Sequence, residues 1–216
     1  MIKYSIISNA ILLGLFALAT ALVLSTTNQL TSARIAEVKH RAAQQALLDL
    51  LPEQSHDGQL VLETSEIPPE FWPILGLSKD GVAYIARLGN RAVAAIIPSV
   101  SQQGYSGDIS MLVGIDVDGS ITGVRVTDHA ETPGLGDKID LRKSDWILSF
   151  DNRSLKNTNT RQWAVRKQGG DFDQFTGATI TPRAVINQVL ATLNYLEEDH
   201  ERLFGSGKTY VSGDQP

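Results

Sequence analysis

The chain has 216 residues, 42% of them hydrophobic, which is enough for one well-packed domain plus an accessory segment. A formal net charge of -5 argues against a nucleic-acid-binding role, because such surfaces need a basic face to neutralise phosphates. The absence of cysteine excludes disulfides, thiolate catalysis, Cys-ligated zinc and an iron–sulfur cluster on this chain. Any redox centre it carries is then organic, or ligated by His, Met or carboxylate.

Residues 4–33 contain no charged residue and no histidine, and residues 6–24 are apolar apart from Ser8, Asn9, Gly14 and Thr20. That run matches the roughly 20 residues that span a bilayer. A cleavable signal peptide is the rival reading. The one clean A-x-A, Ala19-Thr20-Ala21, lies inside the apolar run, and the run is long for a signal, so a retained anchor over residues 1–33 is expected. Lys3 stands on one side, with Arg34, Lys39 and Arg41 on the other, so charge alone does not orient it.

Ser32 is expected to cap a linker helix over residues 34–52, with Ile35, Val38, Ala42, Ala46 and Leu50 near one face and Pro52 ending it. A single α+β domain is expected over residues 53–204. Residues 59–62, 82–86 and 92–97 read as strands, and residues 109–115 and 121–126 as a hairpin about Asp118-Gly119. A short helix is expected over residues 143–148, with Trp146 packing in the core, then a polar loop over residues 152–160 and a short strand at residues 162–165. The last helix runs from Pro182 to about Leu203, with Val185, Val189, Leu193 and Leu196 on its core stripe and Glu197, Glu198 and Asp199 facing solvent. Residues 205–216 read as a disordered tail.

Two segments bear on chemistry. His129-Ala130-Glu131-Thr132-Pro133-Gly134-Leu135-Gly136 prescribes a tight loop whose backbone can approach a ligand closely. Asp173-Gln174-Phe175-Thr176-Gly177-Ala178-Thr179 ends on Ile180-Thr181-Pro182, where Thr181 is placed as N-cap and Pro182 at the first helical position. A helix N-terminus favours a phosphate, but on pattern alone the string reads as a capped turn before the last helix. Lys167 is weighed as a phosphate counter-charge and read as a surface lysine. Gly207-Lys208-Thr209 and Gly134-x-Gly136 both lack the further glycines of the nucleotide-binding motifs they echo.

The string D-x-x-T-G-A-T from Asp173 to Thr179 resembles the flavinylation motif of the FMN-binding domain family. There the last threonine hydroxyl is joined to the FMN phosphate as a phosphodiester. The wider context, from Trp163-Ala164-Val165 through Gly169-Gly170-Asp171-Phe172 to Arg183-Ala184-Val185, resembles the G subunits of the Rnf/Rsx electron-transport complexes. Thr176 stands where serine is frequent in the motif. The resemblance runs from about Tyr105 to Leu193.

The resemblance implies an FMN-binding domain with antiparallel strands and flanking helices, and covalent FMN on Thr179. It implies Thr176, Gly177 and Ala178 beside the flavin, Glu131, Thr132, Leu135 and Gly136 as flavin neighbours, and Asp173 as the acidic position read by a flavin transferase that splits FAD and releases AMP. It further implies a bacterial inner-membrane subunit with a cytoplasmic N-terminus and a periplasmic flavin domain. Such a subunit is not catalytic alone. It relays electrons within a complex that couples ferredoxin/NAD electron exchange to ion transport, or that keeps a redox regulator reduced. A C subunit of the sodium-pumping NADH:quinone reductase, with the same architecture, and a cofactor-free membrane-anchored binding domain are the alternatives.

Overall fold

The computed structural model describes residues 2–51, 60–79 and 81–205. Two compact units divide it, Met1–Ala43 and Gln44–Pro216. The first helix, α1 (Ile2–Asp49), crosses that division. Within it, the 27 residues Ile6–Ser32 are long and apolar enough to cross a membrane.

The expected helix start at Ser32 is not found. Neither glycine nor proline interrupts residues 15–49, and several hydroxyls there bond back to carbonyls of the same helix. Thr26 and Thr31 donate to the carbonyls of Leu22 (2.7 Å) and Thr27 (2.8 Å), and Ser32 donates to Gln29 (3.1 Å). Of the expected apolar face, Ala46 and Leu50 are buried and Val38 is exposed. The side chains of Ile35 and Ala42, and the expected stop at Pro52, lie outside the described residues.

The second unit is built on a five-stranded antiparallel meander. Its strands are β1 (Leu60–Glu66), β2 (Val82–Leu88), β3 (Arg91–Ser101), β4 (Ile109–Asp116) and β5 (Ile121–Asp128). Between β1 and β2 the Pro68-Pro69 segment forms a 3-10 turn and a one-turn helix, α2 (Trp72–Leu75). The hairpin joining β4 and β5 turns at Gly119, φ 86°, where Asp116 Oδ1 accepts from the backbone N–H groups of Asp118 and Ser120. Strand β3 runs through Pro98 to Ser101, four residues beyond its expected end. Pairing with β2 stops at Tyr84–Ile96, so at Pro98 the strand pairs with β4 alone and tolerates the missing N–H.

Period-two alternation sorts the sheet residues onto two cores. Ala95, Ile97, Met111, Val113 and Ile115 join the main core under the last helix, α3 (Ile180–Phe204), which presents Val185, Val189, Leu193 and Leu196 as its sequence pattern predicts. Ile96 and Leu112 face the other way and meet Ala46 and Leu50 from the end of α1. Leu50 sits where Gly114 and Gly123 pair across β4 and β5, and the Leu50 carbonyl accepts from the Thr122 hydroxyl at 3.0 Å.

Asp199 is buried rather than solvent-facing. It accepts from the Tyr195 hydroxyl at 2.8 Å and pairs with Arg202, whose Nη1 also donates to Ser65 on β1. This network staples the end of α3 to the edge strand. Burial, reinforced by the hydrogen bond to Asp199, pushes the Tyr195 pKa well above its ordinary value. His200 is half-buried, with Nε2 2.9 Å from the Val117 carbonyl.

Residues 137–178 carry 3-10 turns around an aromatic cluster. Trp146 packs against Phe150, Phe172 and Phe175, with ring centroids 5.0 Å apart for Trp146 and Phe175, and Phe150 and Trp163 extend the stack. Trp146 is a packing residue, as expected, and its turn spans Asp145–Phe150. The expected strand at residues 162–165 is absent: 3-10 turns at Thr160–Gln162 and Arg166–Gln168 flank a single bridge between Val165 and Phe172. Gly170 makes that fold-back possible, since a Cβ there would stand 2.0 Å from the Ala164 carbonyl oxygen.

Candidate functional site

Both sequence segments that bear on chemistry converge on one cleft of about 240 Å³. Glu131, Thr132, Leu135 and Gly136 line one side, and Gly177, Ala178 and Thr179 the other. Tyr105, Ile180 and Thr181 complete it. Sequence reasoning does not single out these last three as site residues. Tyr105 lies between Gly104 and Gly107, a rigid-loop signal, and Thr181 reads by type only as a cap.

The segment 173–179 is shaped by its neighbours. Trp146 Nε1 donates to the Asp173 carbonyl at 2.8 Å, and Phe175 is buried in the aromatic cluster. Ala178 N then donates to the Phe175 carbonyl at 3.2 Å, closing a turn with Gly177 at φ 82° in its third position, where a side chain is rarely tolerated. Thr176 and Asp173 are exposed and do not line the cleft. Asp173 pairs with Arg166 at 3.2 Å, both largely exposed. Lys167 is exposed and likewise stays out of the cleft.

Helix α3 begins two residues earlier than expected from Thr181-Pro182. Thr179 occupies the N-cap position with no side-chain cap bond, and Pro182 falls at the third helical position. The reason is that the Thr181 hydroxyl is engaged elsewhere, donating to Glu131 Oε2 at 2.5 Å. The N–H groups of Ile180 and Thr181 therefore have no partner within the helix. The exposed Thr179 hydroxyl makes no hydrogen bond among the described residues.

Glu131, only 4% exposed, holds the cleft together. Oε1 accepts from Ser106 N at 3.0 Å, Oε2 accepts from Thr181, and the Glu131 N–H donates to His129 Nδ1 at 3.2 Å. Its carboxylate thus joins the 104–107 loop, its own loop and the start of α3. Gly136 must lack a side chain because a Cβ would meet Glu131 Oε2 at 2.8 Å. Loop 132–136 closes through Leu135 and Gly136 N–H groups donating to the Thr132 carbonyl, and Gly134 N donates to Asp137 Oδ1 at 2.8 Å. Just beyond, burial works against the Asp140 charge. Hydrogen bonds and charge from Arg142, with a smaller contribution from His129, outweigh it and hold the Asp140 pKa below the usual carboxylate value.

Residues 104–194, which include every residue lining the cleft, match the model of the FMN-binding domain family. Residues 1–50 match the RnfG N-terminal region. The chain is 47% identical over 201 residues to the G subunit of the ion-translocating oxidoreductase complex of Pseudomonas aeruginosa PAO1, covering 93% of each chain. It is 43% identical over 201 residues to the corresponding G subunit of Shewanella loihica (93% and 94% covered) and 41% identical over 195 residues to that of Vibrio atlanticus (90% and 92%). The chain belongs to this family of G subunits.

The cleft residues fit FMN. The Thr179 hydroxyl, which makes no hydrogen bond among the described residues, stands at a helix N-terminus whose dipole and N–H groups without a partner in the helix favour a phosphate. Leu135, Ala178 and Ile180 offer the apolar surface an isoalloxazine needs.

Proposed function

We propose that this chain is the electron-carrying subunit of a membrane-bound complex that couples electron transfer to ion translocation, with FMN joined to Thr179 through a phosphodiester. The observation that carries the reading is the meeting of two sequence-distant segments, 131–136 and 177–179, on one cleft beside a Thr179 hydroxyl with no hydrogen bond among the described residues. The relatives are named as subunits of ion-translocating oxidoreductase complexes, which supports the coupling to ion translocation and the presence of partner subunits.

The attachment is a phosphoryl transfer. A flavin transferase brings FAD, the Thr179 oxygen bonds to the phosphorus of its FMN half, AMP leaves, and the hydroxyl proton departs with it. Exposure of Thr179 suits access by a second protein, and Asp173, outside the cleft and exposed, suits recognition by that transferase. When bound, FMN supplies the electron-transfer chemistry. The chain's own residues tether its phosphate at Thr179, offer it the Ile180 and Thr181 N–H groups, and seat its ring among Leu135, Ala178 and Ile180. Thr176 and Gly177 shape the attachment turn, and Glu131, Thr132 and Gly136 form the opposing wall.

In this reading, residues 1–33 anchor the chain in a bacterial inner membrane with the N-terminus cytoplasmic, residues 34–52 link it, and residues 53–204 form the periplasmic flavin domain. The test compares membranes holding the complete complex with the parent chain or with Thr179→Ala. The variant complex is expected to assemble but to lose most donor-to-acceptor electron transfer. Undiminished transfer in an assembled Thr179→Ala complex would refute the role.

A further inference from the structure

Three large apolar side chains stand open at the mouth of the Thr179 cleft: Tyr105 is 70% exposed, Ile180 45% and Leu135 42%. Singly exposed hydrophobics are ordinary, but three on one small rim form a patch that calls for a cover. Tyr105 is the most exposed large apolar residue of the unit Gln44–Pro216 among the described residues, and the only aromatic ring lining the cleft.

Its exposure does not come from a loose loop. Ser106 N is held by Glu131 Oε1, and Gly104 is packed so closely that a Cβ would meet the Gly107 carbonyl oxygen at 2.1 Å and Glu131 Oε1 at 2.9 Å. The loop is thus fixed to the carboxylate that also fixes the start of α3 through Thr181. Rigid backbone holding an unpartnered aromatic ring over a cleft is a preorganised binding contact, with its ordering entropy settled during folding.

Resting on the reading that Thr179 carries FMN, we propose that Tyr105 is a contact residue for the flavin ring. The phenol lies against the isoalloxazine, and Leu135 and Ile180 form the rest of an apolar seat. Aromatic rings favour such offset or edge contacts, and the ring covers the open patch. A phenol in contact also quenches flavin fluorescence: an electron passes from tyrosine to the photoexcited ring and returns, with no net chemistry.

The experiment uses the full flavinylated chain in detergent micelles and measures flavin fluorescence first native, then after SDS denaturation of the same sample, for the parent, Tyr105→Leu and Tyr105→Trp. The SDS signal reports attached flavin, and the native-to-SDS ratio reports the contact. Tyr105→Leu is expected to leave the SDS signal unchanged and raise the native ratio several-fold, while Tyr105→Trp keeps it low. An unchanged ratio in Tyr105→Leu with normal SDS fluorescence would overturn the contact and leave attachment standing. Absence of SDS fluorescence from the parent would instead overturn attachment, and the contact with it.

Discussion

Removing the Glu131 carboxylate tests how the cleft is held. In Glu131→Ala, Ser106 N–H and the Thr181 hydroxyl both lose their acceptor. Hydrogen bonds to charged groups contribute about 1.5–3 kcal/mol each, so the pair bounds the loss at roughly 3–6 kcal/mol. Water entering from the adjacent cleft re-solvates both donors in part, which places the expected cost near 3 kcal/mol. For a domain of this size that corresponds to a fall in Tm of about 6–12 °C. Glu131→Gln keeps the shape, with its carbonyl accepting from Ser106 and its amide donating to the Thr181 oxygen, so its loss is only about 1 kcal/mol. The assay is thermal unfolding of the full chain in detergent, followed by near-ultraviolet circular dichroism. A Tm for Glu131→Ala within about 2 °C of the parent, or Glu131→Gln as damaging as Glu131→Ala, would refute the three-way pin.

Gly170→Ala drives a methyl into the Ala164 carbonyl and is expected to cost roughly 3 kcal/mol, seen as a lowered denaturation midpoint. Gly114→Ala places a Cβ 2.4 Å from Thr122 Oγ1 and 3.1 Å from Leu50 Cβ, so peptides covering residues 44–51 should exchange amide hydrogens faster while α3 does not. Burial raises the Asp151 pKa, Arg125 offsets this only in part, and Oδ1 accepts no hydrogen bond among the described residues. A raised carboxyl pKa means that the group's stabilising contribution is present below its unfolded value and lost as pH rises through the folded one. Asp151→Asn should therefore gain stability relative to the parent at neutral pH and show no such gain below about pH 4, as denaturant titrations at both pH values would show.

Elements whose pattern repeats are legible in the sequence. The hairpin at Asp118-Gly119 and the stripe from Val185 to Leu196 show their period over enough residues to be read, and the run of residues 6–24 is legible by its unbroken apolar length. The region 137–172 is not, because its fold is set by tertiary packing of Trp146, Phe150, Trp163 and Phe172 and by the tight approach of Gly170 to Ala164, neither of which has a local period. The two sides of the cleft are readable as motifs. Tyr105 is not, since nothing local announces that Ser106 lies within 3.0 Å of Glu131, 25 residues away. The start of α3 is displaced from its expected position for the same reason. Thr181 is a good N-cap by type, but a buried carboxylate claims its hydroxyl.

The central claim is the bond at Thr179. The direct measurement is to co-express the full chain with a flavin transferase, resolve it in SDS, look for flavin fluorescence on the band, and map the peptide that carries the mass of one FMN less one water. The account predicts a fluorescent band, the added mass on Thr179, and loss of both in Thr179→Ala. A dark parent band beside a control protein that the same transferase labels, or added mass on Thr176 with Thr179 bare, would contradict it.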